Sequence, residues 1–489
     1  MDKSDRKRIG VIGGLGALGA ADIFFKLVKA TPSPSGKEQY DIVFEQHPFK
    51  ECDEPGEENA NQTARKLYVF EMLRSFEERR VDIVMLPCFL SHTFIEELRA
   101  EVTLAIANIM DALRLHLQRR YPAARKLGVL TSNYVRKSRL FETCFTSPAH
   151  ELVYPRPAVQ NECLMRAIYG PQGIKRGHLQ GESVELLERS CRDLLEQGAE
   201  LIVPGFTEIP IVTDTLRERG LPIIDSNQIY AQHTVSHHGQ TAEKAFKIGI
   251  VGGVGPAATV DFMNKIIRNA KASRDQEHIK IVVEQNPQIP DRTAHLVGAG
   301  TDPTIALYAT CKKLEASDAD LIAIPCNTAH AFVERIQPYL AIPIVNMLFE
   351  TVAHIRQNHG DRRAIGLLAT TGTVESRIYH DAFQDTGFRL VVPDAEHQAK
   401  VMNAIYGKKG VKAGFSTGEC MEDILQALKH LVDNGAGVVI LGCTELPLLL
   451  SQNDNFSIGG KCVALVDPTE ILARKCVSAS MTGRRTAHV

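Results

Sequence analysis

The chain has 489 residues, of which 44% are hydrophobic and 23% are charged, and its formal net charge is -2. A chain of this length exceeds what one hydrophobic core organises, so we expect at least two domains, and the composition is that of an ordinary soluble globular protein. The near balance of 56 basic and 58 acidic side chains, with no long basic block, argues against a nucleic-acid partner.

The N-terminal sequence predicts neither a secretory signal nor a membrane span. MDKSDRKRIG is charged and is followed by a glycine-rich turn rather than by an uninterrupted apolar run. Eleven irregularly spaced cysteines favour reduced thiols over a disulfide framework, so we expect a cytoplasmic protein. No CxxC or HExxH spacing occurs, and we expect no metal site.

The first predicted elements are a strand, a tight glycine turn and a helix in IGVIGGLGALGAADIFFKLV (9–28). The Gly-x-Gly-x-x-Gly string in this stretch is typical of a dinucleotide-binding turn. The stretch recurs as IGIVGGVGPAATVDFMNKII (248–267), where Ala258 replaces the last glycine of the string. Because the string alone is a weak signal, a nicotinamide enzyme is only a distant alternative.

The rest of the chain repeats the same plan twice. Matching segments follow in identical order: DIVFEQ (41–46) and IKIVVEQN (279–286), VDIVMLPCFLSHTF (81–94) and ADLIAIPCNTAHAF (319–332), LGVLTS (127–132) and IGLLAT (365–370), AIYGPQGIKRG (167–177) and AIYGKKGVKAG (404–414), AELIVPGFTEIPIV (199–212) and AGVVILGCTELPLL (436–449), IIDSNQIYA (223–231) and LVDPTEILA (465–473). Short apolar runs alternating with amphipathic stretches predict βαβ units with parallel sheets.

We therefore predict an α/β tandem duplication with domains at 1–238 and 246–480, joined through the polar segment 232–247. Two glycine-opened strands in each half predict two Rossmann-like or flavodoxin-like lobes with a cleft between them. These glycines are Gly10 and Gly128 in the first half, and Gly249 and Gly366 in the second.

Two cysteines of the second half stand in similar contexts. Cys326 follows LIAIP and Cys443 follows VVILG, each at the carboxyl end of a buried-type strand and before a predicted helix start. Open α/β sheets place ligands at these strand ends, and a helix start favours a thiolate. Two opposed thiols suit the removal of a proton from one face of a carbon and its delivery to the other. No lysine stands out as an anchor for pyridoxal phosphate.

Residues 248–475 resemble the aspartate/glutamate racemase family. The resemblance is carried by GGVGPAAT (252–259), NPQIPDRT (286–293), PCNTAH (325–330), IYGKKGVKAG (405–414) and LGCTELP (441–447). It implies two similar α/β lobes, a substrate held between two cysteines, no cofactor, and frequent dimerisation. It also implies that the glycine turn helps to form the floor of a carboxylate site.

By motif position, Cys326 and Cys443 resemble the two acid/base thiols of that family. Arg292 resembles the arginine that holds a substrate carboxylate, and Lys412 the basic residue directed at a second carboxylate. The remaining residues implied in substrate binding are polar: Asn327, Thr328, Thr370, Thr371, Thr373, Thr444 and Glu445. His330, by contrast, is interpreted as a packed helix residue rather than a catalyst.

The first half keeps the plan and lacks parts of this site. Cys88 stands where Cys326 does, but Phe89 and Leu90 replace the polar pair that follows it. Gly205 is expected at the place of the second cysteine. Since one thiol cannot run a two-base inversion, we predict that this half does not racemise.

Counting from the aligned Glu-Gln pairs puts Asp53 at the position of the arginine, and only Lys175 and Thr207 look retained. The first half could stabilise the second as an intrachain pseudo-dimer, bind a regulatory ligand, or run a one-thiol reaction. Further homo-oligomerisation is also open.

The leading hypothesis is therefore a racemase of an acidic amino acid, aspartate or glutamate, with no membrane partner. The alternatives are a cysteine-dependent isomerase or decarboxylase of a dicarboxylic acid, and a non-catalytic amino-acid-binding regulatory protein.

Overall fold

The computed structural model describes residues 7–31, 40–49, 58–145, 150–236, 245–298 and 300–486. The chain divides into two compact units, Met1–Lys244 and Ala245–Val489. Each unit contains two sheets whose strands are mainly parallel and whose connections are mainly helical, so the predicted α/β class with two lobes in each half is confirmed.

The strands of the first unit form a four-stranded sheet in the order β2-β1-β3-β4 and a three-stranded sheet in the order β6-β5-β7. Their bounds are β1 Lys7–Ile12, β2 Tyr40–Glu45, β3 Ile83–Met85, β4 Ala105–Ile106, β5 Lys126–Thr131, β6 Glu151–Val153 and β7 Leu201–Gly205. All pairings are parallel, and the central strands are buried on both faces, which their unbroken apolar runs predict.

The helices of the first unit connect these strands. They are α1 Ala17–Ala30, α2 Glu58–Glu78, α3 Ile95–Arg99, α4 Ile109–Arg120, α5 Asn133–Lys137, α6 Leu140–Cys144, α7 Pro157–Val159, α8 Arg166–Tyr169, α9 Glu182–Glu196, α10 Thr213–Glu218 and α11 Ser226–Ser236, with a π-helical turn, Gln160–Met165, between α7 and α8.

The second unit has a three-stranded sheet in the order β10-β8-β9 and a five-stranded sheet in the order β12-β11-β13-β15-β14. The bounds are β8 Lys247–Gly252, β9 Lys280–Gln285, β10 Leu321–Ala323, β11 Ala364–Leu368, β12 Arg389–Val391, β13 Val438–Leu441, β14 Asn453–Ile458 and β15 Lys461–Val466. The sequence predicted parallel strands throughout, but β14 and β15 form an antiparallel hairpin through a Gly459-Gly460 turn. Both glycines have positive φ, which such a tight turn requires.

The helices of the second unit follow the same order as those of the first. They are α12 Pro256–Ala270, α13 Arg292–Leu296, α14 Thr304–Ala316, α15 Val333–Ile336, α16 Met347–Asn358, α17 Thr371–Glu375, α18 Ile378–Ala382, α19 Ala395–Tyr406, α20 Glu419–Asp433 and α21 Pro468–Thr486. In α20 the buried residues Cys420, Ile424, Ala427, Leu428 and Leu431 recur every three or four positions, the pattern of a helix with one face on a core. Within the described ranges, no helix combines the length and apolarity that a membrane crossing needs.

The glycines that open the second unit are required by close contacts. Gly253 has φ of 86°, and a Cβ there would clash with the backbone carbon of Asn286. Gly255 also has positive φ, and its Cβ would lie 2.5 Å from Oε1 of Glu445. The glycine string thus lets the β8–α12 turn pass against a buried carboxylate, and this packing explains it without a dinucleotide.

Strand register corrects the predicted counterpart of Cys443. Leu127 of β5 pairs with Leu201 of β7, and the matching Ile365 of β11 pairs with Val438 of β13. Leu201 therefore corresponds to Val438. Phe206 follows Leu201 by five residues, as Cys443 follows Val438, so Phe206 corresponds to Cys443. The expectation of Gly205 was wrong by one residue, and an aromatic ring occupies the place of the second thiol.

Candidate active site

The two cysteines singled out in the second unit line one cavity. Cys326 lies just beyond β10 and Cys443 just beyond β13, so each lobe contributes one thiol. Both residues are 7% exposed, and the cavity, counted together with the part that is open to solvent, has a volume of about 280 Å³. The predicted helix starts are only short 3-10 turns, Thr328–Phe332 and Leu446–Leu448, so a helix dipole contributes little here and neighbouring side-chain charges matter more.

Most of the predicted site residues lie around this cavity. Those that line it are Arg292, Cys326, Asn327, Thr328, Thr370, Lys412, Cys443, Thr444 and Glu445. Val254, Thr293 and Tyr406 also line it and were not predicted. The two remaining predictions, Thr371 and Thr373, do not line it.

Helix capping explains why these two threonines are displaced. Thr370 is the N-cap of α17, and its hydroxyl accepts from the backbone N–H of Thr373. The chain therefore turns into the helix at Thr371, whose hydroxyl accepts from Gln398 at 3.3 Å outside the cavity. Thr373 is buried behind the wall, where its hydroxyl is 2.7 Å from that of Thr328.

Cys443 is held in its protonated form. Its Sγ donates to Oε2 of Glu445 at 3.1 Å. Burial raises the pKa of Cys443 well above its ordinary value, and the negative charge of Glu445 raises it further, while Lys412 acts in the opposite direction. Lys412 Nζ lies 2.8 Å from Oε1 of Glu445, so this carboxylate joins the cation to the thiol.

Cys326 has a guanidinium beside it. Burial alone would lower the pKa of Arg292, but the charge of Cys326 and a hydrogen bond to it, together with Asp291, raise that pKa above its ordinary value. A guanidinium attracts a neighbouring anion, so a thiolate formed at Cys326 would lie beside an opposite charge. The two thiols therefore face opposite fields: a cation at Cys326 and a carboxylate at Cys443.

Two buried donors of the cavity wall have no hydrogen-bond partner among the described residues: Nε of Arg292 and Nδ2 of Asn327. Tyr379 donates its hydroxyl to Oδ1 of Asn327 at 2.6 Å, which fixes the amide so that Nδ2 remains a free donor. An unsatisfied buried donor costs about 1–3 kcal/mol, and a ligand with oxygen acceptors would remove that cost.

Threonine hydroxyls connect the two lobes of the second unit next to the thiols. Thr293 Oγ1 donates to Thr370 Oγ1 at 3.0 Å, and Thr370 lies 3.1 Å from Thr373 Oγ1. Thr328, which follows Cys326 by two residues, forms hydrogen bonds with Thr370 and Thr373, the two threonines of the second lobe. This threonine cluster fixes the wall of the cavity at the junction of the two sheets.

His330 has a structural position, in line with its interpretation from sequence. Its Nδ1 lies 2.9 Å from the carbonyl oxygen of Cys326, and its Nε2 accepts from the N–H of Met347 at 3.1 Å. Because Nε2 is an acceptor, Nδ1 carries the proton and the ring is neutral. Burial lowers the pKa of His330, which keeps it so.

Tyr406 was missed although the sequence contained a signal for it. It belongs to the AIYG stretch that both halves share. Lys412 Nζ lies 5.2 Å from the centre of its ring, and its hydroxyl donates to Oδ2 of Asp291 at 3.3 Å. Burial raises the pKa of Tyr406 to about 12, so the hydroxyl remains protonated. A tyrosine before glycine was too common a pattern to single out.

One group of side chains in the described ranges could hold a metal ion, and it lies outside the cavity. Donor atoms of Asp394, His397 and His430 lie within 4.8 Å of one another. The two imidazoles are stacked with centres 4.0 Å apart, and His397 Nδ1 bonds to Asp394 at 2.7 Å. The cavity between Cys326 and Cys443 is lined by thiols and cationic side chains. That it binds no metal stays a prediction.

The first unit has a corresponding thiol with a cation beside it. Cys88 follows β3, and Arg65 of α2 donates from Nη1 to its Sγ at 3.4 Å. Counting along the sequence had placed Asp53 at the arginine position; that residue lies outside the described ranges. The cation beside the thiol thus comes from a different element than α13, which alignment by counting cannot find.

Comparisons with known proteins agree with this architecture. The model of the Asp/Glu/Hydantoin racemase family matches residues 12–234 and again 251–476. The broad specificity amino-acid racemase RacX of Bacillus subtilis (strain 168) is 28% identical over 237 residues, which is 47% of this chain and 96% of that protein. The glutamate racemase of Helicobacter pylori (strain P12) is 30% identical over 141 residues, 28% of this chain and 52% of that one.

Among solved structures, the aspartate racemase of Picrophilus torridus is 29% identical, with a TM-score of 0.43, and covers 48% of this chain and 94% of that one. The family match over both halves and the similarity to RacX confirm the prediction that the protein is an enzyme of the amino-acid racemase class. More particularly, the chain belongs to the Asp/Glu/Hydantoin racemase family, as a tandem duplication in which each half matches the family model.

Proposed function

We propose that the second unit racemises an acidic amino acid, aspartate or glutamate, with Cys326 and Cys443 as the two acid/base groups. The single observation that carries this proposal is that both thiols line one small cavity together with two cations, Arg292 and Lys412. Relatives named as aspartate and glutamate racemases support the substrate class.

The opposite electrostatic environments assign a role to each thiol in one direction of turnover. The Cys326 thiolate, stabilised by Arg292, removes the α-proton from one face of the substrate and becomes a thiol. The Cys443 thiol, protonated and bonded to Glu445, delivers its proton to the opposite face and becomes a thiolate. The carbanion electrons pass into the new C–H bond, so no redox partner is needed, and the reverse direction exchanges the roles.

The polar wall suits a substrate with two carboxylates. Arg292 and Lys412 offer one cation for each, and a guanidinium can hold a carboxylate through two parallel bonds. The backbone and side chains of Asn327, Thr328 and Thr444 supply further polar groups around the reacting carbon. Negative charge on the substrate carboxylate increases as the α-proton leaves, so fixed donors stabilise the transition state more than the ground state.

The proposal is tested with single enantiomers of aspartate and glutamate in heavy water without added cofactor. We expect loss of optical rotation and of the α-proton NMR signal for at least one of the two acids. Conversion to a different acid would instead indicate an isomerase or decarboxylase. Thermal stabilisation by one of the acids without any turnover would indicate a binding protein. Either outcome contradicts the proposal.

A further inference from the structure

A second cavity lies in the first unit at the position that corresponds to the proposed active site, with a volume of about 360 Å³ when the part open to solvent is included. Cys88 and Arg65 line it, and Arg65 is only 3% exposed. Lys175 lines it as well, with its Nζ 3.7 Å from Oε1 of the buried Glu208 and 4.8 Å from the centre of the Tyr169 ring. The cavity has kept a thiol and two cations.

We propose that this cavity binds a small monocarboxylate that has an apolar body and no ammonium group, and that it does so without racemising it. The inference does not depend on the function proposed for the second unit, because it concerns different residues. It adds to the family assignment a ligand class for the half of the chain that lacks the second thiol.

The positive charge of the cavity lining favours a ligand with a carboxylate. Among the described residues that line the cavity, the charged side chains are Arg65, Lys175 and Glu208, which sum to one net positive charge. One monoanionic ligand would neutralise it. Arg65 is buried, and a cation in a region of low dielectric interacts more strongly with an anion than an exposed one does. Both cations also have contacts within the protein, as Arg292 and Lys412 have in the second unit, so a carboxylate would join existing pairs.

Apolar side chains replace polar ones in the cavity wall, and they favour a ligand whose body is apolar. Phe89 and Leu90 stand where Asn327 and Thr328 line the other cavity, and Phe206 stands at the position of Cys443. At these three positions an ammonium group would meet hydrocarbon instead of an amide, a hydroxyl and a thiol, and a buried charge left without a partner there is strongly unfavourable. An aliphatic or aromatic group would be stabilised by the same contacts. The polar side chains Ser132, Thr207 and Glu208 line other parts of the wall.

Residues behind the cavity wall are also apolar where the second unit has polar ones. Phe89 stacks on Phe141 with ring centres 5.8 Å apart, where the second unit has the Asn327–Tyr379 hydrogen bond. Val135 and Leu90 line the first cavity at the positions of Thr373 and Thr328, so two hydroxyls of the threonine cluster are replaced by hydrocarbon, while Ser132 keeps a hydroxyl at the position of Thr370. Tyr169 and Phe206 also line the cavity, and their ring centres are 6.1 Å apart.

Alkylation of the cysteines by iodoacetamide, followed peptide by peptide in the intact chain, reports on both cavities at once. Phenylacetate and 3-methylbutanoate are the probes. At about ten times the Kd we expect the rate at Cys88 to fall about tenfold, because only the free site reacts, while rates at Cys326 and Cys443 change little. Aspartate is expected to protect the latter pair and not Cys88.

Lys175→Met is the decisive variant, because this side chain is partly exposed and its loss leaves the core intact. We expect it to abolish protection of Cys88, and Arg65→Gln to do the same. Lys126→Met is the matched control: Lys126 bonds to Glu151 on the same unit and does not line the cavity, so protection should persist.

Saturation-transfer NMR on the methyl protons of 3-methylbutanoate supplies a readout that does not depend on thiol reactivity. Transfer that is present in the unaltered chain and in Lys126→Met, and lost in Lys175→Met, supports the proposal. Three results would overturn it: no protection and no transfer with either acid, effects that persist in Lys175→Met, or protection of Cys88 by aspartate equal to that by phenylacetate.

Discussion

Glu445 is the residue on which the electrostatics of the proposed active site depend. One carboxylate oxygen bonds to Lys412 and the other accepts from the thiol of Cys443. Its negative charge raises the pKa of a thiol that burial has already raised, so Cys443 is protonated at neutral pH, as the proposed proton donor must be. Glu445 therefore acts by keeping the thiol of Cys443 protonated.

Glu445→Gln is expected to move the alkaline limb of the kcat/KM profile to lower pH by about one unit, because removal of a neighbouring charge lets Cys443 ionise more easily. The limb moves to lower pH because Cys443 must be protonated in the direction of turnover in which it serves as the acid, and the variant loses that proton at a lower pH. Glu284→Gln, which removes a carboxylate paired with Lys313 on the surface, serves as control and should leave the profile in place. An unshifted alkaline limb in Glu445→Gln would contradict this role.

Lys412→Met tests the second carboxylate site. We expect KM for the acidic amino acid to rise about tenfold or more, since a charge-assisted hydrogen bond contributes roughly 1.5–3 kcal/mol. Steady-state kinetics with aspartate and with its amide asparagine separate the two carboxylates. If the variant loses affinity equally for both, Lys412 does not hold the second carboxylate.

At the scale of elements, short segments after the strands fix the position of each thiol. In both units a histidine connects the carbonyl of the cysteine to the N–H that opens a later helix: His92 connects Cys88 to Ile109 of α4, and His330 connects Cys326 to Met347 of α16. The same arrangement in both halves shows that this contact supports the strand end whether or not the chemistry remains.

The His92 contact predicts acid sensitivity of the first unit. Burial lowers the pKa of His92 to about 4, below its ordinary value of 6.5, so the unfolded state binds more protons between these values. The stabilisation is complete above about pH 6.5 and is lost as the pH falls toward 4, by about 3 kcal/mol.

Hydrogen exchange of peptides from 83–113 in the intact chain measures this loss. His92→Gln keeps one donor and one acceptor but does not titrate, so its exchange should depend less on pH over the same range. Equal pH dependence in both proteins would show that His92 does not control it.

The threonine cluster gives a prediction at the same scale. Thr373→Val removes bonds to Thr328 and Thr370 without changing side-chain shape. We expect exchange of the α17 amides to quicken about fivefold, equivalent to about 1 kcal/mol, while Thr373→Ser, which keeps the hydroxyl, stays close to the original. Val135 already occupies this position in the first unit.

Some of this architecture could be read from the sequence, and some could not. Apolar runs before Cys326 and Cys443 predicted strand ends correctly, because a buried parallel strand has an unmistakable composition. Arg65 could not be found, since its place beside Cys88 depends on how α2 packs against the sheet. Thr371 and Thr373 looked equivalent to Thr370 until the helix cap showed which side chain faces the cavity.

At the scale of the whole molecule, duplication has produced two related cavities with different walls. Both have an arginine beside a thiol and a lysine beside a buried glutamate. Among the described lining residues, only the second cavity has a second thiol. We propose that the units have separated into one that moves protons and one that binds a carboxylate without reaction. Cys88→Ser is accordingly expected to leave racemisation unchanged, as measured by optical rotation.

The central claim is that Cys326 and Cys443 act on opposite faces of one carbon. The most direct measurement follows deuterium at the α-carbon early in the reaction of one enantiomer in heavy water, separately in product and in recovered substrate. Two thiols on opposite faces predict deuterium in the product and hydrogen retained in the recovered substrate, starting from either enantiomer. Equal deuterium in both pools, or racemisation that survives Cys443→Ser, would contradict the account.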